Sequence, residues 1–78
     1  MEYIAIFYTH YGAVKYSKFL KNKNIDNQIM PVPRSLSSSC GICVKFITNI
    51  DINTIVSNDI ESIFILKDGE FIKIYQDE

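Results

Sequence analysis

The residues with the greatest chemical reach in this chain are Cys40 and Cys43, three positions apart, and a lone histidine, His10. A thiolate is both a nucleophile and a metal ligand, and pKa and exposure decide whether a cysteine reacts. Cys40 follows the polar run Ser37, Ser38 and Ser39 and precedes Gly41, outside any apolar pattern. The serines offer short hydroxyl donors, and the glycine permits a positive φ or a close backbone approach. Cys40 is therefore the candidate reactive thiol. The competing reading is an inert, buried cysteine, the usual fate of a free thiol. His10 could serve Cys40 as a base or as a donor to its thiolate, or simply meet solvent or backbone at the start of a helix. Arg34 could bind an anion or a partner carboxylate, or be a solvated loop charge.

The spacing of the two cysteines is formally C-x-x-C. That motif closes a disulfide where a helical turn brings positions i and i+3 together. Here the pair runs into a strand-like segment, where three residues at about 3.3 Å each separate the α-carbons by roughly 10 Å. A disulfide needs them within about 7 Å. Cys43 is expected to share a strand face with Lys45 and to be structural or partly exposed. Tetrahedral zinc wants four ligands, and the chain offers Cys40, Cys43 and His10, so no metal site is expected unless a symmetric dimer pools cysteines. Paired carboxylates, a phosphate-binding glycine loop and a Ser-His-Asp arrangement cannot be found, and no cofactor is called for.

The elements that must position these residues follow from periodicity. Tyr3 to Tyr8 is a nearly continuous apolar run of β-formers, suited to a central strand. From Tyr11 to Asn24 the period becomes helical, with Ala13, Tyr16, Ser17 and Leu20 on one face and Lys15, Lys18 and Lys21 elsewhere. Thr9 or His10 falls at the N-cap region, and Asn24 is a stop signal. Asn27 to Val32 reads as a second strand, placed on an edge by its prolines. Pro33 to Gly41 is a loop, and Ile42 to Thr48 a third strand alternating Val44 and Phe46 with Cys43 and Lys45. Asp51 could cap a short second helix carrying Ile52, Ile55 and Val56. Ser62 to Leu66 and Phe71 to Tyr75 flank Asp68-Gly69, a strong hairpin signal.

The expected fold is a single α+β domain over residues 1–78, a ferredoxin-like βαββαβ split βαβ sandwich. Its sheet order is 2-3-1-4 with a C-terminal hairpin strand as the fifth, and both helices cover one face. Strands one and two then end at the rim where strand three begins. His10, the amino end of the first helix and the Cys40 loop should meet there, and a helix N-terminus lowers a thiol pKa.

Composition narrows the function classes. With 47% hydrophobic and 22% charged residues and a net charge of −1, the chain is neither a disordered tail nor a basic nucleic-acid binder. No apolar run approaches a membrane span, and the chain opens on a strand-like segment in place of a signal peptide. Two close cysteines do not make a secreted disulfide framework. The expectation is a soluble cytoplasmic protein.

The string from Pro31 to Phe46, PVPRSLSSSCGICVKF, resembles the signature of the selenium/sulfur (Se/S) carrier-like family of small bacterial proteins. There a Pro-Arg pair, a hydrophobic position and Ser-Ser-Cys-Gly precede a strand, and the likeness extends to Thr9-His10 and to the element order. The resemblance implies that Cys40 carries sulfur or selenium as a persulfide or selenosulfide. It also implies a donor enzyme and an acceptor protein as partners, with Arg34, Ser38, Ser39 and Gly41 around the thiol. Cys43 departs from the pattern, which has a small apolar residue there. Two other readings stay open: a non-catalytic module that forms a homodimer or binds a small ligand, and a thiol redox switch using both cysteines.

Overall fold

The computed structural model describes residues 1–38 and 40–78. Among them the order is β1 (Glu2–Phe7), α1 (His10–Asn22), β2 (Asn27–Pro31), β3 (Ile42–Ile47), a 3₁₀ turn (Ile52–Thr54), β4 (Ile60–Lys67) and β5 (Glu70–Gln76). The strands form one antiparallel sheet in the order β2-β3-β1-β4-β5. The apolar run of β1 sits at the centre, and proline-bearing β2 is an edge, as the sequence predicts. Among the described residues, no helix is long and apolar enough to cross a membrane.

Both ends of α1 are set by side-chain chemistry. Thr9 is the N-cap, its hydroxyl accepting from the Gly12 N–H at 3.0 Å. At the other end Asn24 has φ +61°, and the Asn24 and Ile25 N–H groups return to the carbonyls of Lys21 and Leu20. That is a Schellman close, with buried Ile25 just beyond the left-handed residue. Gly12, Ala13, Tyr16 and Leu20 are the buried face of α1, which packs over β1, β2 and β3. The main core lies between helix and sheet, with Phe7, Phe46, Val44, Ile60 and Ile63 fully buried around the Tyr16 ring.

Of the expected sandwich, the sheet order and first helix are present; the second helix is not. Asp51 does cap the segment, accepting from the Asn53 N–H at 3.1 Å, but only a 3₁₀ turn follows. Ile52, Thr54, Ile55 and Val56 are β-branched and lose χ1 freedom in a helix. Thr54 and Ser57 hydroxyls also bond nearby backbone and compete with helical pairing. The segment still seats its apolar residues: Ile55 is buried, Ile52 and Val56 pack on the same core, and Tyr16 donates its hydroxyl to the Ile55 carbonyl at 2.8 Å.

The β4–β5 hairpin turns on Asp68 and Gly69, both with positive φ, as a two-residue type I′ turn requires. On the sheet face away from α1, Ile4, Ile6 and Cys43 form a second, smaller cluster. Met30, Val32, Leu36, Phe64 and Phe71 pack against it.

Candidate functional site

Strand direction brings the end of β1, the start of α1 and the start of β3 to one rim. His10 is the first residue of α1, and its Nε2 lies 2.6 Å from the Cys40 carbonyl oxygen. A carbonyl only accepts, so Nε2 carries the proton and donates. The imidazole is thus turned onto the Cys40 backbone and not onto its sulfur. It ties the loop to the helix start, and a base for the thiol would have to come from elsewhere or from a reoriented ring.

The rest of the Cys40 backbone is held as firmly. Its N–H donates to Ser38 Oγ at 3.2 Å. The next carbonyl, on Gly41, accepts from the Val32 N–H at 3.1 Å. Gly41 itself has φ +80°, and a Cβ built there would meet nothing within 4 Å. The glycine is therefore needed for its left-handed backbone and not for close approach, which separates the two reasons its sequence position offered.

Cys40 is half-buried, with its side chain against the rim of the helix-side core. Its thiol donates to the Ile42 carbonyl at 3.3 Å, and Ser38 Oγ stands 3.7 Å from the sulfur. Because Ser38 Oγ already accepts from the Cys40 N–H, its own hydroxyl proton is available to the sulfur. The resting thiol is thus hydrogen-bonded as a donor, with one hydroxyl placed to stabilise an anion if that proton leaves.

Cys43 differs in place and exposure, although its thiol too donates to a backbone carbonyl, that of Pro31, at 3.8 Å. It is fully buried on the opposite face of the sheet, so of the two expected alternatives, structural or partly exposed, it is the structural one. Strand alternation does put it on the face of Lys45, but Lys45 reaches outward to Glu2 at 3.0 Å. Met30, Val32 and Leu36 pack on the cluster that Cys43 forms with Ile4 and Ile6. Burial, with the nearby Cys40 adding to it, pushes the Cys43 thiol up to about 11. The two thiols therefore belong to different clusters on opposite faces, and both are free.

The remaining predicted residues divide. Ser38 contacts Cys40, Gly41 shapes the turn, and Arg34 is exposed in the same loop without a contact to the thiol. Ser39 lies outside the described residues. Leu36 was missed as a site residue: it is the loop's anchor, packed on the Ile4, Ile6 and Cys43 cluster. A lone apolar residue in a serine-rich stretch was its signal. Tyr8 also stands at this rim, just after β1. Its hydroxyl donates to Asp77 at 2.7 Å, fastening the chain end to the same rim, and that bond together with the adjacent carboxylates pushes Tyr8 up to about 12.

A groove of about 620 Å³ runs between α1 and residues 54–59, walled by Lys15, Phe19 and Asp59 among others. It does not include Cys40. Among the described residues, no group of three or more His, Cys, Asp or Glu side chains could hold a metal ion.

Residues 2–61 match the family described as "Putative Se/S carrier protein-like", and the chain belongs to that family. The match includes His10, the whole Cys40 loop and β1 to β3. No curated protein and no solved structure matches the chain.

Proposed function

We propose that this member of the Se/S carrier-like family carries sulfur or selenium on Cys40 between a donor enzyme and an acceptor protein. The observation that supports it most is the contrast between the two thiols. Cys40 is partly exposed, its backbone pinned by Ser38 and His10 and the next carbonyl held by Val32, while Cys43 is fully buried on the opposite face of the sheet. A carrier needs one reachable sulfur in a fixed frame and no deep pocket. In the loading step the Cys40 thiolate attacks the terminal sulfur of a donor persulfide, R–S–SH. The Cys40 S–S bond forms, the donor S–S bond breaks, and the departing thiolate keeps the electron pair and takes the terminal proton of the adduct, leaving Cys40–S–S⁻. With R–S–SeH the product is the selenosulfide. Ser38 Oγ–H then donates to the anionic adduct, and His10 keeps the loop on the helix start.

The redox-switch reading is less favoured, because the two thiols sit in clusters on opposite faces of the sheet. The carrier is tested by intact mass after incubation with sodium polysulfide. The expected result is a gain of one sulfur, reversed by dithiothreitol, kept in Cys43→Ala and lost in Cys40→Ser. A gain that persists in Cys40→Ser refutes the assignment of the carrier thiol.

A further inference from the structure

Outside the thiol site, the most uneven feature of the molecule is the distribution of charge along α1. No Asp or Glu occurs from residue 3 to residue 25, while Lys15, Lys18, Lys21 and Lys23 all do. Lys15 is engaged by Asp59 at 2.9 Å, leaving the other three on the C-terminal half of the helix. The opposite end is acidic. Around Tyr8, where α1 begins, Asp59 accepts from the Tyr8 N–H through its carbonyl and Asp77 accepts from the Tyr8 hydroxyl. The Asp77 N–H in turn bonds to the Glu61 carbonyl. Glu78 follows directly. Thirteen residues at about 1.5 Å each put some 20 Å between these two ends.

Between them runs an outward stripe at helical spacing, Tyr11, Val14, Lys18 and Lys21. Tyr11 is 74% exposed and Val14 40%. An aromatic and an aliphatic residue left this open on a helix are material for an interface.

We propose that the stripe pairs with the same stripe of a second copy, the two α1 helices antiparallel about a two-fold axis. That arrangement sets the basic end of each helix against the acidic rim of the other, twice, and opposes the helix dipoles. In the register centred between Val14 and Lys18, Tyr11 receives the ammonium of Lys21 from the second copy, and Val14 the methylene stem of Lys18. The groove beside α1, with half-open Phe19 on its wall, takes the flank of the incoming helix. A second copy is the occupant because both complementary charges are carried by one chain. A single helix pair makes a small interface, so association is weak and sensitive to salt.

Sedimentation velocity on the full chain tests this. A monomer–dimer equilibrium is expected near ~50 mM salt, with the dissociation constant at least about tenfold higher near ~0.5 M. Lys18→Glu with Lys21→Glu, and separately Asp77→Lys with Glu78→Lys, should each abolish the dimer, because like charges then meet. Mixing the two variants should restore it, since each helix again faces a rim of opposite sign. Far-UV circular dichroism establishes that each variant keeps the fold. A wild type that stays monomeric at low salt overturns the proposal. So does a dimer indifferent to salt and charge reversal, or a mixture that does not associate.

Discussion

Buried Cys43 should set the alkaline limit of this fold. Its folded thiol is held at about 11, against an ordinary value of 9.0. As pH rises through 9, the unfolded chain loses this proton first while the folded chain keeps it. The folded state then binds more protons than the unfolded one, so stability falls with pH. The contribution is fully present below pH 9 and is lost between about 9 and 11. At pH 10 the unfolded thiol is about ten-to-one ionised and the folded one about one-to-ten, a loss of about 1.4 kcal/mol; the complete loss approaches about 2.7 kcal/mol. For a chain of this size that is a large share of the total. The assay is urea unfolding under reductant at pH 7.5 to 10, comparing wild type with Cys43→Ala. At pH 7.5 the variant should be less stable by about 1–2 kcal/mol, for the lost sulfur and the cavity it leaves. The gap should narrow by about 1.4 kcal/mol at pH 10, because only wild type has this proton to lose. Tyr8 and Tyr16 are also raised, Tyr8 by its bond to Asp77 and Tyr16 by burial, but both remain in each protein and cancel in the difference. A gap that stays constant across the range refutes the assignment of a buried, protonated Cys43.

Four further outcomes follow from the same geometry. At pH 8 iodoacetamide should label Cys40 well before Cys43, of which only about one part in a thousand is thiolate; equal rates by peptide mass spectrometry would contradict the burial. Leu36→Ser should speed Cys43 labelling, since it removes part of the cover, and an unchanged rate would mean that Leu36 is not the lid. Gly41→Ala should cost about 1–2 kcal/mol through its left-handed φ alone, with Gly41→Asn milder, measured by urea midpoint. Gly12→Ala should destabilise by about 1 kcal/mol despite its better helix propensity, because a Cβ there would lie 2.9 Å from the Asp59 Cβ; a rise in midpoint would show that the segment at Asp59 can move away.

How much of this was legible beforehand differed by element, for physical reasons. The strand order could be read because each cue was strong and local: an apolar run in β1, prolines ending β2, Asp68-Gly69 between β4 and β5. The rim followed from that order, and it does bring His10 to the Cys40 loop. The second helix does not form because the β-branching and hydroxyls of the segment outweigh the helical apolar spacing at Ile52, Ile55 and Val56. Tertiary packing seats those side chains without a helix. For His10 the sequence left two roles open, a bond to the thiol or one to backbone, and the structure selects the backbone. Sequence can bring an imidazole near a cysteine, but only coordinates distinguish a bond to the carbonyl from one to the sulfur.

That distinction changes what the rim can do. If His10 faced the sulfur, it would draw off the thiol proton and hold an ion pair. Bonded to the carbonyl, it makes no contact with the sulfur, and the Cys40 thiol donates to the Ile42 carbonyl instead. Once the sulfur is anionic or loaded, that carbonyl has no proton to accept and its lone pairs oppose the charge, whereas Ser38 Oγ–H gains a stronger acceptor. The same loop therefore favours the protonated thiol through Ile42 and the charged adduct through Ser38. Removing the hydroxyl should weigh on one state only: Ser38→Ala should leave the fold nearly unchanged by thermal melt while slowing alkylation of Cys40. Ser38→Thr should restore the wild-type rate. An alkylation rate identical in Ser38→Ala and wild type would remove Ser38 from the chemistry and leave it as a turn residue.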